Sequence, residues 1–274
     1  MKFMHPFSFF IFIFTMNVCN AQDYLNPYNG FAKGDTIYAF SDNIPMFSGP
    51  NTMSKLVTEI RLNQPITIAS DREQDFSVQY NPNEFLHVSF KGKKGFVQRK
   101  YLAAKQLNHA PSHTIMLFQF ALNADHRYDL QYREYHQNEL VQSAVLPLSG
   151  FSCDVYLEDI HGLDSVTAFL VVDHFAEACG ENGGNDYYVW NPRELALMAE
   201  LREVGDGGVY YLTERLIFPN DPGGIEDKII FESEEENVFD EETEWISMLH
   251  TRRVYQWVYG NVFPVFDKNL NDEN

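Results

Sequence analysis

The sequence predicts a mainly β protein: a small β barrel at the front, an antiparallel β-rich domain behind it, and at most one or two short helices. Two observations lead to this prediction. Apolar residues recur at every second position in many short runs, as expected for half-buried strands. Glycine-rich or proline-containing turns separate these runs at short spacing, as at residues 180–184, 205–208 and 221–224. This spacing favours a sandwich or a propeller-like array for the back domain.

Residues 1–21 are predicted to be an export signal. Lys2 gives the positive start, residues 7–18 are apolar, and small residues precede a cleavage site between Ala21 and Gln22. The apolar run is shorter than the roughly 20 residues that a membrane-spanning helix needs. We therefore expect a periplasmic or secreted protein with no transmembrane segment after signal removal. A lipoprotein anchored through Cys19 is the alternative.

Residues 31–104 show the alternation of a small β barrel. A helix does not fit here, because apolar side chains repeat with a period of two rather than 3.6. Residues 45–52 and 62–65 contain the proline, glycine and asparagine of polar turns. The predicted strands are residues 36–40, 56–60, 66–69, 86–90 and 96–97.

Several short segments of this region occur in a characteristic order. They are residues 44–47 (IPMF), 54–57 (SKLV), 66–68 (ITI), 87–90 (HVSF) and 92–97 (GKKGFV), followed by Tyr101 and Leu102. Their order and spacing resemble the bacterial SH3-like domain family over about a quarter of the chain. Phe96 stands where that family commonly has tryptophan, and residues 71–84 form a longer segment than usual.

Members of the bacterial SH3-like family are usually non-catalytic attachments that bind cell-wall peptides or other ligands. The resemblance therefore implies an aromatic groove that could hold a peptide. The candidate ligand-binding residues are Tyr38, Phe47, Tyr80, Phe85 and Phe96. For Phe47 and Phe96, however, a place in the barrel core is the favoured interpretation. A nearby basic cluster could meet an anionic wall polymer or simply be a solvated hairpin tip: Lys91, Lys93, Lys94, Arg99 and Lys100.

The charge of the chain is unevenly distributed. Residues 31–104 carry nine Lys and Arg against seven Asp and Glu, whereas residues 105–274 carry ten against 31. The asymmetry supports two domains and argues against a nucleic-acid ligand, because phosphates require a basic surface. An acidic exported domain attracts cations and cationic proteins, although solubility alone also explains such a charge.

Behind a predicted linker at residues 105–113, residues 114–266 form the acidic β-rich domain, and residues 267–274 are expected to be a disordered tail. This domain resembles no family that we recognise. One segment has helical features: Asn191 is a capping residue, Pro192 suits a first turn, and Leu197, Leu201 and Val204 would share a face. We predict a helix here, with two short strands as the alternative.

Only Cys153 and Cys179 remain after signal removal, and an oxidising compartment makes a disulfide between them the expected state. Residues 150–154 also resemble the nucleophile region of papain-like cell-wall peptidases. That chemistry needs a thiolate at a helix start and a later histidine base. Residues 154–158 alternate like a strand, and the later histidines His161, His174 and His250 are scattered. We therefore expect no enzyme.

Two acidic segments could bind a partner or an ion. Within residues 232–244, the candidate docking residues for a basic protein are Glu234, Glu235, Glu236, Asp240, Glu241 and Glu242, although such a run is usually a solvated loop. The loop between Glu177 and Asp186 has oxygen donors that suit calcium but lacks the spacing of a known calcium motif, so a hairpin turn is expected. We expect no cofactor and no metal.

Taken together, these patterns predict an exported, non-enzymatic binding protein whose partner is a cell-wall peptide or a basic envelope protein. Two alternatives remain: a papain-like cell-wall peptidase that uses Cys153, and an inhibitor or immunity protein against a cationic lytic enzyme.

Overall fold

The computed structural model describes residues 25–27, 31–70, 81–176, 178–240 and 245–267. The mainly β prediction is confirmed: antiparallel strands form four sheets, and the described helices are single 3-10 turns at Arg99–Tyr101 and Ala110–Ser112. The strands, in chain order, are β1 Thr36–Ala39, β2 Ile44–Phe47, β3 Leu56–Ile60, β4 Pro65–Ile68, β5 Phe85–Phe90, β6 Lys93–Gln98, β7 Leu102–Ala103, β8 Lys105–His109, β9 Thr114–Leu122, β10 Tyr128–His136, β11 Glu139–Pro147, β12 Ser152–Glu158, β13 Ala168–Phe175, β14 Gly184–Asn191, β15 Glu194–Glu200, β16 Glu203–Asp206, β17 Tyr210–Ile217, β18 Lys228–Asp240, β19 Trp245–Val258 and β20 Asn261–Phe263.

The front sheet is a curled half-barrel of seven strands in the order β3-β2-β6-β5-β4-β1-β7. Its inner face follows from the sequence alternation: in β5, Leu86, Val88 and Phe90 are buried, while the residues between them are half-exposed. These side chains pack with those of the neighbouring strands into one core, which includes Met46 and Val97. Alternate residues therefore point outward and form a second face.

The back of the chain consists of three successive antiparallel meanders stacked face to face: β8–β11, β12–β15 and β16–β20, here called the second, third and fourth sheets. Phe40 and Ala103 of the front region pack on Leu117 and Tyr135 of the second sheet. The four sheets thus follow one another in space in the order of the chain.

Strand β13 occupies the middle of this stack. Leu170 and Val172 face the second sheet, and Phe169 and Val171 face the fourth sheet. Because both faces of the strand are covered, Phe169–Val172 are all fully buried, and the sequence reads as a continuous apolar run rather than an alternating one. The fourth sheet contributes Phe218, Ile229 and Trp257 to the contact.

A buried carboxyl group connects the second and third sheets. Glu134 is fully buried, and its Oε2 accepts hydrogen bonds from Tyr132 Oη (2.8 Å) and Trp190 Nε1 (3.2 Å). Its Oε1 accepts from the backbone N–H of Arg193 (2.9 Å). Burial, together with the neighbouring Glu134, raises the pKa of Tyr132 far above its ordinary value. The hydroxyl therefore stays protonated and remains a donor to Glu134.

The helix predicted after Asn191 is wrong. Asn191 and Glu194 are cross-strand partners at a tight turn between β14 and β15, and Arg193 has a φ of 74°. Proline followed by a residue with positive φ suits a type II turn. The apolar spacing fits a strand as well as a helix, and pairing with β14 decides between them.

The predicted linker at residues 105–113 is also wrong. Residues 105–109 are strand β8, which pairs with β9 along its whole length, and Pro111 lies in the 3-10 turn that joins the two strands. Lys105 Nζ contacts Asp154 Oδ1, so this segment also touches the third sheet. A hairpin therefore stands where the polar composition indicated a flexible connection.

The predicted disulfide between Cys153 and Cys179 is absent, and both cysteines are free. Cys153 is fully buried in the core between the second and third sheets, whereas Cys179 is exposed in the loop after β13. On the edge of β12, Leu25 forms a backbone bridge with Cys153 and contributes its side chain to the same core. The two thiols thus lie in different environments, although their spacing in the sequence would allow a disulfide.

The export signal at residues 1–21 and all but Asp267 of the predicted disordered tail fall outside the described residues. Within the described part of the chain, no helix has the length and apolar character needed to cross a membrane.

Candidate functional site

A row of apolar and aromatic side chains crosses the outer face of the front sheet. Leu56 is the cross-strand partner of Phe47, Phe47 of Phe96, and Phe96 of His87. Because directly paired residues point to the same face, the four side chains line up across β3, β2, β6 and β5. We call this row, together with Phe85, the aromatic stripe.

Close contact between β2 and β6 makes the stripe continuous. These strands come together at Gly95, where an added Cβ would lie 2.6 Å from the carbonyl oxygen of Phe47 and 2.7 Å from Met46 Cγ. Such contacts are too short for any side chain, so only glycine allows this approach. The same Gly95 that marks the turn motif in the sequence thus brings Phe47 beside Phe96.

The rings of the stripe hold one another in defined orientations. His87 stacks on Phe96 with ring centroids 4.9 Å apart, and Phe85 meets Phe47 edge to face at 6.1 Å. All four rings are half-buried, and Leu56 at the end of the row is 46% exposed. Rings that are fixed on one side and open on the other offer contact area to a ligand at little entropic cost.

Positive charge borders the stripe. Lys94 is opposite Ser89 and two residues before Phe96, so it points to the same face, and both Lys93 and Lys94 are exposed. Another member of the predicted basic cluster is not available to a ligand: Arg99 is buried, and its guanidinium donates to the carbonyl of Pro27 (3.3 Å). This face of the front sheet therefore has solvent-accessible aromatic rings with the positive charge of Lys94 beside them.

The structure brings together three of the five predicted ligand-binding residues, namely Phe47, Phe85 and Phe96. Tyr38 packs instead in the contact between the front sheet and the second sheet. Tyr80 lies outside the described residues. Sequence reasoning missed His87, although its position between Leu86 and Val88 in an alternating strand predicts an outward side chain. It also missed Leu56, which a register shift between β2 and β3 places opposite Phe47.

Cys153 and two polar residues resemble a catalytic set in composition. Cys153 is directly opposite His174, and His174 Nε2 lies 3.0 Å from Asp186 Oδ2. Burial raises the pKa of the Cys153 thiol well above its ordinary value, and His174 Nδ1 has no hydrogen-bond partner among the described residues. A buried, protonated thiol on a strand, without a base bonded to it, does not suit a nucleophile.

A cavity of about 320 Å³ opens near this pair but does not reach the thiol. Asp186 lies in its wall, and Cys153 does not. Its lining residues are Pro147, Leu148, Ser149, Asn182, Asp186, Glu200, Leu201 and Arg202. A substrate in this cavity would meet the Asp186 carboxylate, which is already hydrogen-bonded to His174.

The predicted acidic docking residues lie on a strand rather than in a solvated loop. Glu234, Glu235 and Glu236 belong to β18, which ends at Asp240; Glu241 and Glu242 fall outside the described residues. Cross-strand cations neutralise the start of the run, since Glu232 pairs with Arg215 at 2.6 Å and with Arg252 at 3.6 Å. Pairing with β17 and β19 gives this segment its regular structure.

The acidic loop before Asp186 shows no cation site in the described residues. Nowhere in that part of the chain do three or more His, Cys, Asp or Glu side chains form a group that could hold a metal ion. Asp186 pairs with His174, and Glu177 is not described.

Comparison with known proteins adds no assignment: no family model, no curated protein and no solved structure matches the chain.

Proposed function

We propose that this protein is an exported, non-enzymatic binding protein that holds a cell-wall peptide on the aromatic stripe of its front sheet. The observation that carries the proposal is the unbroken cross-strand row Leu56, Phe47, Phe96 and His87, with its rings half-open to solvent. A soluble protein leaves such contiguous apolar area open mainly where it binds something.

The chemistry of the surface fits a short peptide better than a polyanion. The flat faces of the rings can pack against aliphatic side chains and against planar peptide groups of the ligand. Lys94 at the margin can pair with a peptide carboxylate, but one lysine cannot follow a nucleic-acid backbone. The resemblance of residues 31–104 to bacterial SH3-like domains supports the same class of ligand.

The predicted export signal supports a ligand that lies outside the cytoplasm. A protein that passes the inner membrane meets the cell wall, and the wall peptides there carry free carboxylates. In this proposal the back sheets carry the front sheet and supply a separate acidic surface.

Replacing Phe96 or Phe85 with alanine is expected to lower the affinity for purified peptidoglycan by about tenfold, because each ring contributes contact area at the centre of the stripe. Co-sedimentation with insoluble peptidoglycan measures the bound fraction. The matched control is Leu197→Ala, which removes a 49% exposed apolar side chain from the third sheet. Circular dichroism melting of each variant identifies any loss that comes from unfolding.

The proposal also expects intact peptidoglycan after incubation, with no release of soluble wall fragments. Absence of binding by the wild-type protein, or equal binding by Phe96→Ala and Leu197→Ala, would overturn it. Release of fragments that is lost in Cys153→Ser would instead establish the peptidase alternative.

A further inference from the structure

The longest hairpin among the described residues continues beyond the third sheet, which packs against its base. Strands β18 and β19 pair from Lys228–Gln256 to Asp240–Trp245. Only the base contributes to the core, through Ile229, Phe231, Tyr255 and Trp257. We call residues 232–240 of β18 and 245–252 of β19 the acidic arm.

The end of the acidic arm exposes large apolar side chains on both faces of the hairpin. Trp245 is 66% exposed, Met248 61% and Leu249 58%. Consecutive residues of a strand point to opposite faces, so in the described part of the chain no sheet covers either side here. Phe239 is 61% exposed, and its ring is tilted against that of Trp245 with centroids 5.2 Å apart. Isolated exposed apolar residues are ordinary, but a cluster of this size marks an interaction surface.

The outer edge of β19 is open over the same residues. Strand β20 pairs only with Gln256, Trp257 and Val258, so among the described residues no strand pairs with the edge from Trp245 to Tyr255. Natural proteins protect exposed edges with lysine, proline or bulges. Residues 245–249 (WISML) contain no charge and no proline. An unprotected apolar edge is suited to accept an added strand.

Charge decides what kind of strand this edge accepts. Residues 232–244 contain eight Asp and Glu and no Lys or Arg. Beyond the Arg215–Glu232–Arg252 contacts, Glu235 and Glu236 lie opposite Leu249 and Met248, so these carboxylates are one strand in from the open edge, on the same faces as Leu249 and Met248. A second copy of this chain would bring another net charge of −19 to the contact, and repulsion opposes that pairing. A cationic strand gains from the same field.

We propose that the edge of β19 at Trp245–Leu249 accepts an extended, lysine- or arginine-containing segment of another protein as an additional antiparallel or parallel strand. Backbone hydrogen bonds to the edge supply affinity, the exposed apolar side chains contact alternate residues of the segment, and the carboxylates of β18 select for basic residues. This inference does not depend on the ligand of the aromatic stripe, which lies on the front sheet.

The test uses the full mature chain and two labelled peptides of equal length, one alternating valine with lysine and the other valine with glutamate. Fluorescence anisotropy is expected to show at least about tenfold tighter binding of the lysine peptide, weakened at about 0.5 M salt because surface charges are then screened. Hydrogen exchange is expected to slow at the amides of residues 245–249 when the lysine peptide binds.

Two variants and one control locate the binding. Leu249→Lys puts a protecting charge on the edge, and Trp245→Ala with Met248→Ala removes apolar contacts without changing the charge; each is expected to weaken binding about tenfold or more. Leu140→Lys is the matched control, because Leu140 is a 54% exposed leucine on the edge strand β11 and the change adds the same charge. It is expected to bind as the wild type does.

Equal binding of the two peptides, or unchanged binding by Leu249→Lys, would overturn the proposal. So would a wild-type dimer in analytical ultracentrifugation that the Trp245→Ala, Met248→Ala variant loses, because the edge would then belong to a second copy. Peptidoglycan co-sedimentation of Leu249→Lys separates this outcome from the proposed function, since that variant keeps the aromatic stripe.

Discussion

Replacing Glu134 with alanine is expected to destabilise the folded protein by about 3–5 kcal/mol, because several donors are buried around this one carboxyl group. Tyr132 Oη, Trp190 Nε1 and the N–H of Arg193 all bond to it at 2.8–3.2 Å. Without the carboxyl group these buried donors lose their acceptor. With its amide turned to suit its neighbours, Gln142 adds a fourth hydrogen bond to Glu134 Oε2 at 3.1 Å.

Equilibrium unfolding in urea measures this effect. Glu134→Gln should lie between the wild type and alanine, because its amide keeps one acceptor oxygen but turns an N–H₂ toward a donor. Glu139→Ala is the control, since Glu139 is an exposed carboxylate nearby on β11 and should change the free energy of unfolding little. If Glu134→Ala lowers the free energy of unfolding by less than about 1 kcal/mol, Glu134 does not accept the buried hydrogen bonds described above.

Replacing Phe169 with alanine is expected to cost a similar 3–5 kcal/mol, through a cavity between the third and fourth sheets. Phe169 is fully buried, and its ring lies 5.3 Å from Phe218, 6.1 Å from Tyr187 and 6.4 Å from Trp257. The packed neighbours on both sides of β13 prevent the site from collapsing. This retained cavity places the expected cost at the high end for such substitutions.

Chemical denaturation followed by tryptophan fluorescence measures the cost of Phe169→Ala, since Trp257 adjoins the cavity. Phe169→Leu fills most of the space and should lose less than half as much. A small effect of Phe169→Ala would mean that the fourth sheet does not pack on the third as described, and the base of the acidic arm would then lack its support.

Most strands of the front sheet could be predicted because one face of each is buried, but β2 lies partly within residues 45–52, which the prolines and glycine predicted to be a turn. In β5 the alternation of Leu86, Val88 and Phe90 with half-exposed residues has the period of a strand, so both the element and its inward side follow from the sequence. The outward position of Phe85 follows from the same alternation, whereas Phe47 and Phe96, expected in the barrel core, are half-buried on the outer face. Their assembly into one stripe depends on the register between strands, which no local pattern contains.

Other features depended on contacts between distant residues. Tyr38 alternates like a groove residue, but the second sheet packs against that side. Cys153 and Cys179 have a spacing that allows a disulfide, yet the direction of Cys153 into the core is set by the packing of two sheets. After Asn191, the capping residue and Pro192 suit a helix in isolation, and the hydrogen-bonding edge of β14 gives the strand.

The buried Glu134 illustrates the same limit. In the sequence it stands in residues 128–136 as one of several polar residues in a strand and carries no sign of burial. Tyr132 precedes it by two residues and so shares its face, but Trp190 and Arg193 come from a different sheet. Only the stacking of the second and third sheets creates the need for a carboxyl group at this position.

The most direct test of peptide binding on the aromatic stripe is an NMR titration of the isotopically labelled mature protein with a soluble wall peptide. We predict that the largest amide shifts occur at Phe47, Phe85, His87 and Phe96, with a smaller shift at Lys94, and that the signals of the third sheet stay unchanged. Shifts concentrated around the cavity beside Asp186, or no shifts at saturating peptide, would contradict it.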